Sequence, residues 1–154
     1  MSIVIIPKDA FDEKDLLSNV SMGKVPHNAI SWSAENGYAE LTKLLIEFGA
    51  EVNENGNYPL ELASKNGHTR IVKILLDAGA KTSDSGGDEG CCLRMASWRG
   101  YVGIVKMLLN AGANPMADNY FALRFALDKG HMEVVEILLD AIYKKRKSSR
   151  IRKK

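Results

Sequence analysis

The stretch Ser64-Lys65-Asn66-Gly67-His68-Thr69-Arg70-Ile71-Val72-Lys73-Ile74-Leu75-Leu76-Asp77-Ala78-Gly79-Ala80 decides the fold. From Ile71 to Leu76 only Lys73 is polar across six positions. That stripe is too wide for a helix resting on one neighbour, and it predicts a helix packed on several sides. Upstream, Pro59-Leu60-Glu61-Leu62-Ala63 begins a shorter helix, with proline near the first turn, where its missing N–H costs least. Gly67 is expected to end the short helix in a left-handed conformation, and Gly79 to end the longer one. The unit is a short helix, a tight turn, a longer helix and a loop, and it cannot cover its own apolar faces.

Working outward, the same pattern recurs without gaps as AENGYAELTKLLIEFGAEVN from Ala34, SWRGYVGIVKMLLNAGANPM from Ser97 and LDKGHMEVVEILLDAIYKKR from Leu127. The shared glycines are Gly37, Gly67, Gly100 and Gly130, spaced by 30, 33 and 30 residues. A second glycine follows at Gly49, Gly79 and Gly112 and is missing from the fourth copy. Ala63, Ala96 and Ala126 occupy one position, where a small residue lets the short helix approach its neighbour closely. Units that cannot bury their own faces must stack.

Across residues 26–143 the pattern G-H/Y-x-x-I/V/L-V/T-K/E-x-L-L-x-x-x-G-A resembles the ankyrin repeat. The resemblance implies an all-α solenoid of four stacked helix-turn-helix repeats, at about 26–55, 56–86, 87–118 and 119–143. Residues 1–25 would form an N-terminal cap and 144–154 a basic tail. The family's T-P-L-H segment stands here as Asn28-Ala29-Ile30-Ser31, Tyr58-Pro59-Leu60-Glu61, Cys91-Cys92-Leu93-Arg94 and Phe121-Ala122-Leu123-Arg124, so its threonine and histidine hydrogen bonds are expected to be gone. The connections Gly49–Gly67 and Gly112–Gly130 are three residues shorter than Gly79–Gly100, which predicts a clipped β-hairpin finger in both. Short repeats with an opening such as Ala122-Leu123-Arg124-Phe125-Ala126 resemble the ankyrin paralogues of giant DNA viruses. An amphipathic helix within Asp9–Val20, with Phe11, Leu16, Leu17 and Val20 on its apolar side, is expected to cover the first repeat.

Composition narrows the function classes. The 154 residues are 45% hydrophobic and 26% charged, which suits a chain with both a core and a wet surface. No run approaches the roughly 20 apolar residues of a membrane span, and Ile3-Val4-Ile5-Ile6 is too short for a signal-peptide centre. Adjacent Cys91 and Cys92 suit neither a disulfide framework nor a zinc cluster. The chain is expected to be intracellular, in the cytoplasm or nucleus. Its net charge of +2 hides eight basic residues in 144–154 and a net of −6 in residues 1–143. An acidic body with a basic tail suggests two jobs.

Few residues point to chemistry. His68 and His131 each follow a repeat glycine and are explained by the repeat, while His27 has no Cys, Asp or Glu at ligand spacing. Ser83-Asp84-Ser85-Gly86-Gly87-Asp88-Glu89-Gly90 lacks the order of a calcium loop and is taken as a solvated turn. Cys91 and Cys92 are taken as small, partly buried thiols. No catalytic residue, metal site or cofactor is expected, and enzyme activity is not.

The informative positions are the two residues before each repeat glycine, which the resemblance places on the partner-binding concave face: Glu35-Asn36, Lys65-Asn66, Trp98-Arg99 and Asp128-Lys129, with Tyr120 at a loop base. Trp98 beside Arg99 has the composition of a binding hot spot; the alternative is an indole folded over its neighbours as a cap. Trp32 falls where Leu62, Met95 and Phe125 fall, and is expected in the core. In the tail, Lys144-Lys145-Arg146-Lys147, followed by Arg150, Arg152, Lys153 and Lys154, resembles a nuclear import signal, which needs an extended backbone; Ser148-Ser149 are expected to discourage the helix there. A solubilising helix end and an electrostatic contact to RNA or acidic membrane are the alternatives. The chain is thus expected to be a monomeric protein-interaction module of unspecified protein partner, with nucleic acid reached through the tail alone, because the acidic body would repel a duplex.

Overall fold

A computed structural model describes Ser18, residues 25–82 and residues 91–151. The capping helix expected within Asp9–Val20 (Ser18 apart), the loop Ser83–Gly90 and the basic residues Arg152, Lys153 and Lys154 lie outside the described residues. Among the described residues eight helices follow in order: α1 Ala29–Asn36, α2 Ala39–Glu47, α3 Glu54–Asn66, α4 Thr69–Asp77, α5 Cys91–Arg99, α6 Val102–Asn110, α7 Ala117–Asp128 and α8 Met132–Ile151. Among the described residues there is no strand, and the class is all-α. The chain divides into two compact units, residues 1–81 with α1–α4 and residues 82–154 with α5–α8. Within each, the two short helices pack on one another (α1 on α3, α5 on α7), and the two longer ones form a second layer (α2 on α4, α6 on α8).

The glycines do what the sequence asks of them. Gly37, Gly67, Gly100 and Gly130 have φ of 85°, 80°, 75° and 72° at the ends of the short helices. The following N–H of Tyr38, His68, Tyr101 and His131 closes the helix onto the carbonyls of Ser33, Ala63, Ala96 and Ala126 at 2.9–3.0 Å. Gly49, Gly79 and Gly112 end α2, α4 and α6 in the same way. The fourth copy has Ile142 at that place and no stop signal, so α8 runs on for 20 residues.

Leu45, Leu75, Leu108 and Leu138, at one position of the repeat, have no accessible surface, and neither do Ala63, Ala96 and Ala126. The first unit departs from this pattern in a compensated way. Ser33 stands where the later repeats have alanine and Thr42 where they have valine; the two hydroxyls lie 3.0 Å apart, with the Ile30 carbonyl 3.0 Å from Ser33 Oγ and the Tyr38 carbonyl 2.9 Å from Thr42 Oγ1. Two buried hydroxyls are tolerated because one donates to the other, which in turn donates to its own backbone carbonyl. Two expectations need correcting. Trp32 is half-buried instead of core, as Met95 and Phe125 are at the matched place, and its ring packs on Tyr38 with ring centroids 5.1 Å apart. Cys91 and Cys92 are buried outright, at 5% and 3% exposure, and unbridged.

The short connections are built from left-handed residues. Asn55, Gly56 and Asn57 have φ of 49°, 75° and 76°, and Asp118, Asn119 and Tyr120 have 47°, 55° and 64°. The right-handed parts of α3 and α7 therefore begin only at Tyr58 and Phe121. Asn and Asp tolerate this region best among side-chain-bearing residues; tyrosine does not, and its cost is about 1–2 kcal/mol.

Within each unit the two repeats are joined at both ends of the short helices. At one end a histidine ring of the second repeat lies against the glycine of the first. His68 Nε2 donates to the Glu35 carbonyl at 3.0 Å and His131 Nε2 to that of Trp98 at 3.1 Å, which fixes the Nε2–H tautomer in the neutral rings. A Cβ added at Gly37 would stand 2.9 Å from His68 Cε1, and one at Gly100 2.6 Å from His131 Nδ1. At the other end, in the first unit, the buried Glu54 carboxylate accepts from the Asn28 N–H at 2.7 Å and the Ser31 hydroxyl at 2.9 Å, with His27 Nδ1 at 3.1 Å. This cluster takes over the fastening lost with the threonine and histidine of the T-P-L-H segment. In the second unit Arg94, the counterpart of Ser31, reaches Asp118 at 3.5 Å and lies 5.9 Å from the Phe121 ring centre.

These contacts set three stabilities measurable by denaturant unfolding. Leu75→Ala should cost about 2–5 kcal/mol. Glu54→Ala should cost about 1–3 kcal/mol, because it strands the buried Ser31 hydroxyl and the Asn28 N–H. Gly103 is exposed within α6 with no atom within 4 Å of an added Cβ, so Gly103→Ala should stabilise by up to about 1 kcal/mol. A clear loss with Gly103→Ala, or a neutral Glu54→Ala, would contradict this packing.

Candidate partner-binding surface

The residues before each glycine sit at the ends of the short helices because the left-handed glycine turns the chain away immediately after them. In the first unit Glu35 and Asn36 close α1, and Lys65 and Asn66 close α3. Asn66 Nδ2 donates to the Glu35 carbonyl at 3.2 Å and Asn36 Nδ2 to the Trp32 carbonyl at 2.9 Å. Their amides are spent on holding the turns, which leaves Lys65 exposed beside Asn66 as the cationic member of this surface.

In the second unit the structure brings Trp98, Arg99 and Lys129 together. The indole is half-buried; the Arg99 guanidinium carbon lies 4.5 Å from its ring centre and the Lys129 ammonium 5.4 Å. Both cations are exposed, and each cation–π contact at such a site is worth about 0.5–1 kcal/mol. Trp98 is therefore neither a bare aromatic nor a core residue. It is a platform with two positive charges held over it, anchored through its own carbonyl by His131. Asp128, exposed beside Lys129, supplies a negative charge at the edge.

Tyr120 stands apart from this group. It lies at the start of the right-handed part of α7 and Lys129 just past its end, about 13 Å away along a helix axis at 1.5 Å per residue. Its hydroxyl accepts from Arg146 Nη2 at 2.6 Å, with the guanidinium 5.7 Å from the ring centre. The tail itself departs from the extended form expected of it. α8 continues through Lys144, Lys145, Arg146, Lys147 and Arg150 to Ile151. Lys144 pairs with Asp140 at 2.6 Å, and Lys145 donates to Asn114 Oδ1 at 2.8 Å. Ser148 and Ser149 do not break the helix: their hydroxyls donate to the carbonyls of Lys144 and Lys145 four residues back. Cationic side chains here also suit the negative end of the helix dipole.

Two features escaped the sequence reading. Glu54 is one acid among 19, and nothing marks it as buried before the left-handed turn after it is known. A groove of about 580 Å³ also lies along α6 and α8, with Leu109, Ala113 and Ile137 in its wall and Lys106, Lys144 and Lys145 at its rim. Among the described residues no helix is long and apolar enough to cross a membrane, and no three His, Cys, Asp or Glu are placed to hold a metal ion.

Residues 12–86 match the family model described as ankyrin repeats (3 copies), and residues 91–120 match that described as ankyrin repeat. The first match begins ahead of the unit expected at 26. A search of curated proteins finds no match. The glycine-closed short helices, the longer second-layer helices and the histidine-to-glycine joints are the physical content of those matches, which between them cover more than half of the sequence. The chain belongs to the ankyrin repeat family, whose repeats serve as protein–protein interaction modules.

Proposed function

We infer that this chain works without catalysis, binding a protein partner through the ends of its short helices with Trp98 as the anchor. One observation carries the reading: an indole occupies a position where the other repeats have Glu35, Lys65 and Asp128, and two exposed cations are held over it. A rigid aromatic with adjacent guanidinium is the residue pair enriched at binding hot spots. The partner surface that fits it is acidic around an apolar contact, since Arg99 and Lys129 outnumber Asp128 among the exposed charged side chains at these helix ends of the second unit. The helical form of the basic tail favours a second, electrostatic contact over an import signal. Lys144, Lys145, Arg146 and Lys147 present charge on a helix surface, whereas an import receptor reads an extended chain.

The test is quantitative binding of full-length protein to a partner purified from source cells. Trp98→Ala should leave helical content intact and cost at most about 1–2 kcal/mol of stability, the value of its two cation–π contacts. It should weaken partner binding by roughly 2 kcal/mol or more, about thirtyfold. Unchanged affinity would remove Trp98 from the interface. For the tail, RNA binding that falls with salt and vanishes in a chain ending at residue 143 supports the electrostatic contact, and salt-independent or absent binding contradicts it.

A further inference from the structure

Seven large hydrophobic residues are exposed among those described, and four of them, Leu127, Met132, Leu139 and Tyr143, belong to the fourth repeat. Leu127 is 51% exposed at a position where Ala34, Ser64 and Ser97 are buried in the other three repeats. On α8 the exposed residues Met132, Glu136, Leu139, Tyr143 and Arg146 follow one another at intervals of four, three, four and three. That is the spacing of a seam along which one helix lies against another. The buried residues of the same helix, Val134, Val135, Leu138 and Ile142, point elsewhere, into the repeat's own core. α8 thus has two working faces: the first is packed into the core, and the second leaves its apolar residues exposed, with Arg146 at its end held by Tyr120.

We propose that a second copy of this chain covers the exposed seam, with the two α8 helices antiparallel across a two-fold axis near residue 141. The charge order of the helix selects this occupant and this direction. The first half of α8 carries Glu133, Glu136 and Asp140, and the second half Lys144, Lys145, Arg146 and Lys147. Antiparallel pairing about residue 141 sets Leu139 against Tyr143 of the second copy at the centre, and Glu136 against Arg146 of the second copy on either side. The acidic half of each helix then faces the basic half of the other, and the two basic ends point away from one another. A parallel pair would place Glu136 on Glu136 and Arg146 on Arg146, and like charges so placed repel. The contact is self-complementary, as a closed two-fold interface must be. Arg146 already lies along this side of the unit, held by Tyr120.

The test is sedimentation velocity of the full chain over a range of concentrations, with charge-reversed variants. The wild type should sediment as a concentration-dependent dimer that weakens with added salt. Glu136→Arg and Arg146→Glu should each weaken dimerisation at least tenfold, and the double variant Glu136→Arg/Arg146→Glu should regain most of it. Leu139→Lys, at an exposed site, should give a folded monomer by circular dichroism. A wild type that stays monomeric to millimolar concentration, or a double variant no better than either single one, would overturn the proposal.

Discussion

Each of the two units turns on one contact, the imidazole of its second repeat laid against the glycine that ends the short helix before it. The glycine is required twice over. Its φ is positive at Gly37 and Gly100, and the space a side chain would need is filled by His68 and His131. The imidazole in turn donates to the carbonyl two residues before that glycine, so one ring fills space, caps a helix end and sets the separation of neighbouring short helices. Ridges on the short helices can interdigitate only at that separation, and Ala63, Ala96 and Ala126 are small enough to allow it.

The opposite ends of the short helices are fastened by more variable means. A carboxylate, Glu54, gathers two donors and a histidine in the first unit, whereas an arginine, Arg94, reaches an aspartate and an aromatic ring in the second. Both are substitutes for one family motif, and both place a charged group at a loop that has lost its projecting finger. Left-handed Asn55-Gly56-Asn57 and Asp118-Asn119-Tyr120 compress the connection into a turn.

Much of this was legible in the sequence because a repeat reads itself several times over. The glycine spacing, the leucines at Leu45, Leu75, Leu108 and Leu138 and the small residues between them each identify a position by recurrence. What escaped was what occurs once. Glu54 has no counterpart in the other copies, so no register marked it as buried. Trp32 shares its position with buried Leu62 but also with half-buried Met95 and Phe125, and the recurrence of apolar residues there does not tell how deep the position lies. At the tail local propensity misleads: Ser148 and Ser149 are poor helix residues, yet each bonds to a carbonyl one turn back, and a helix already 12 residues long at Tyr143 extends by adding one bond per residue without new nucleation. Trp98 beside Arg99 stands out in the sequence, but the approach of Lys129 to the same indole does not, because Lys129 lies in the next repeat.

The measurement that bears most directly on this account compares Gly100→Ala with Gly130→Ala by equilibrium unfolding. Both glycines have positive φ and carry the same backbone cost on substitution, about 1–2 kcal/mol. Only Gly100 has a histidine ring within reach of the new methyl group; at Gly130 nothing lies within 4 Å. Gly100→Ala should therefore be the more destabilising by roughly 1–3 kcal/mol, the usual cost of overpacking, and the excess should shrink when His131→Ala is added. Equal losses at the two glycines, or an excess indifferent to His131, would contradict the joint on which the rest of the structure depends.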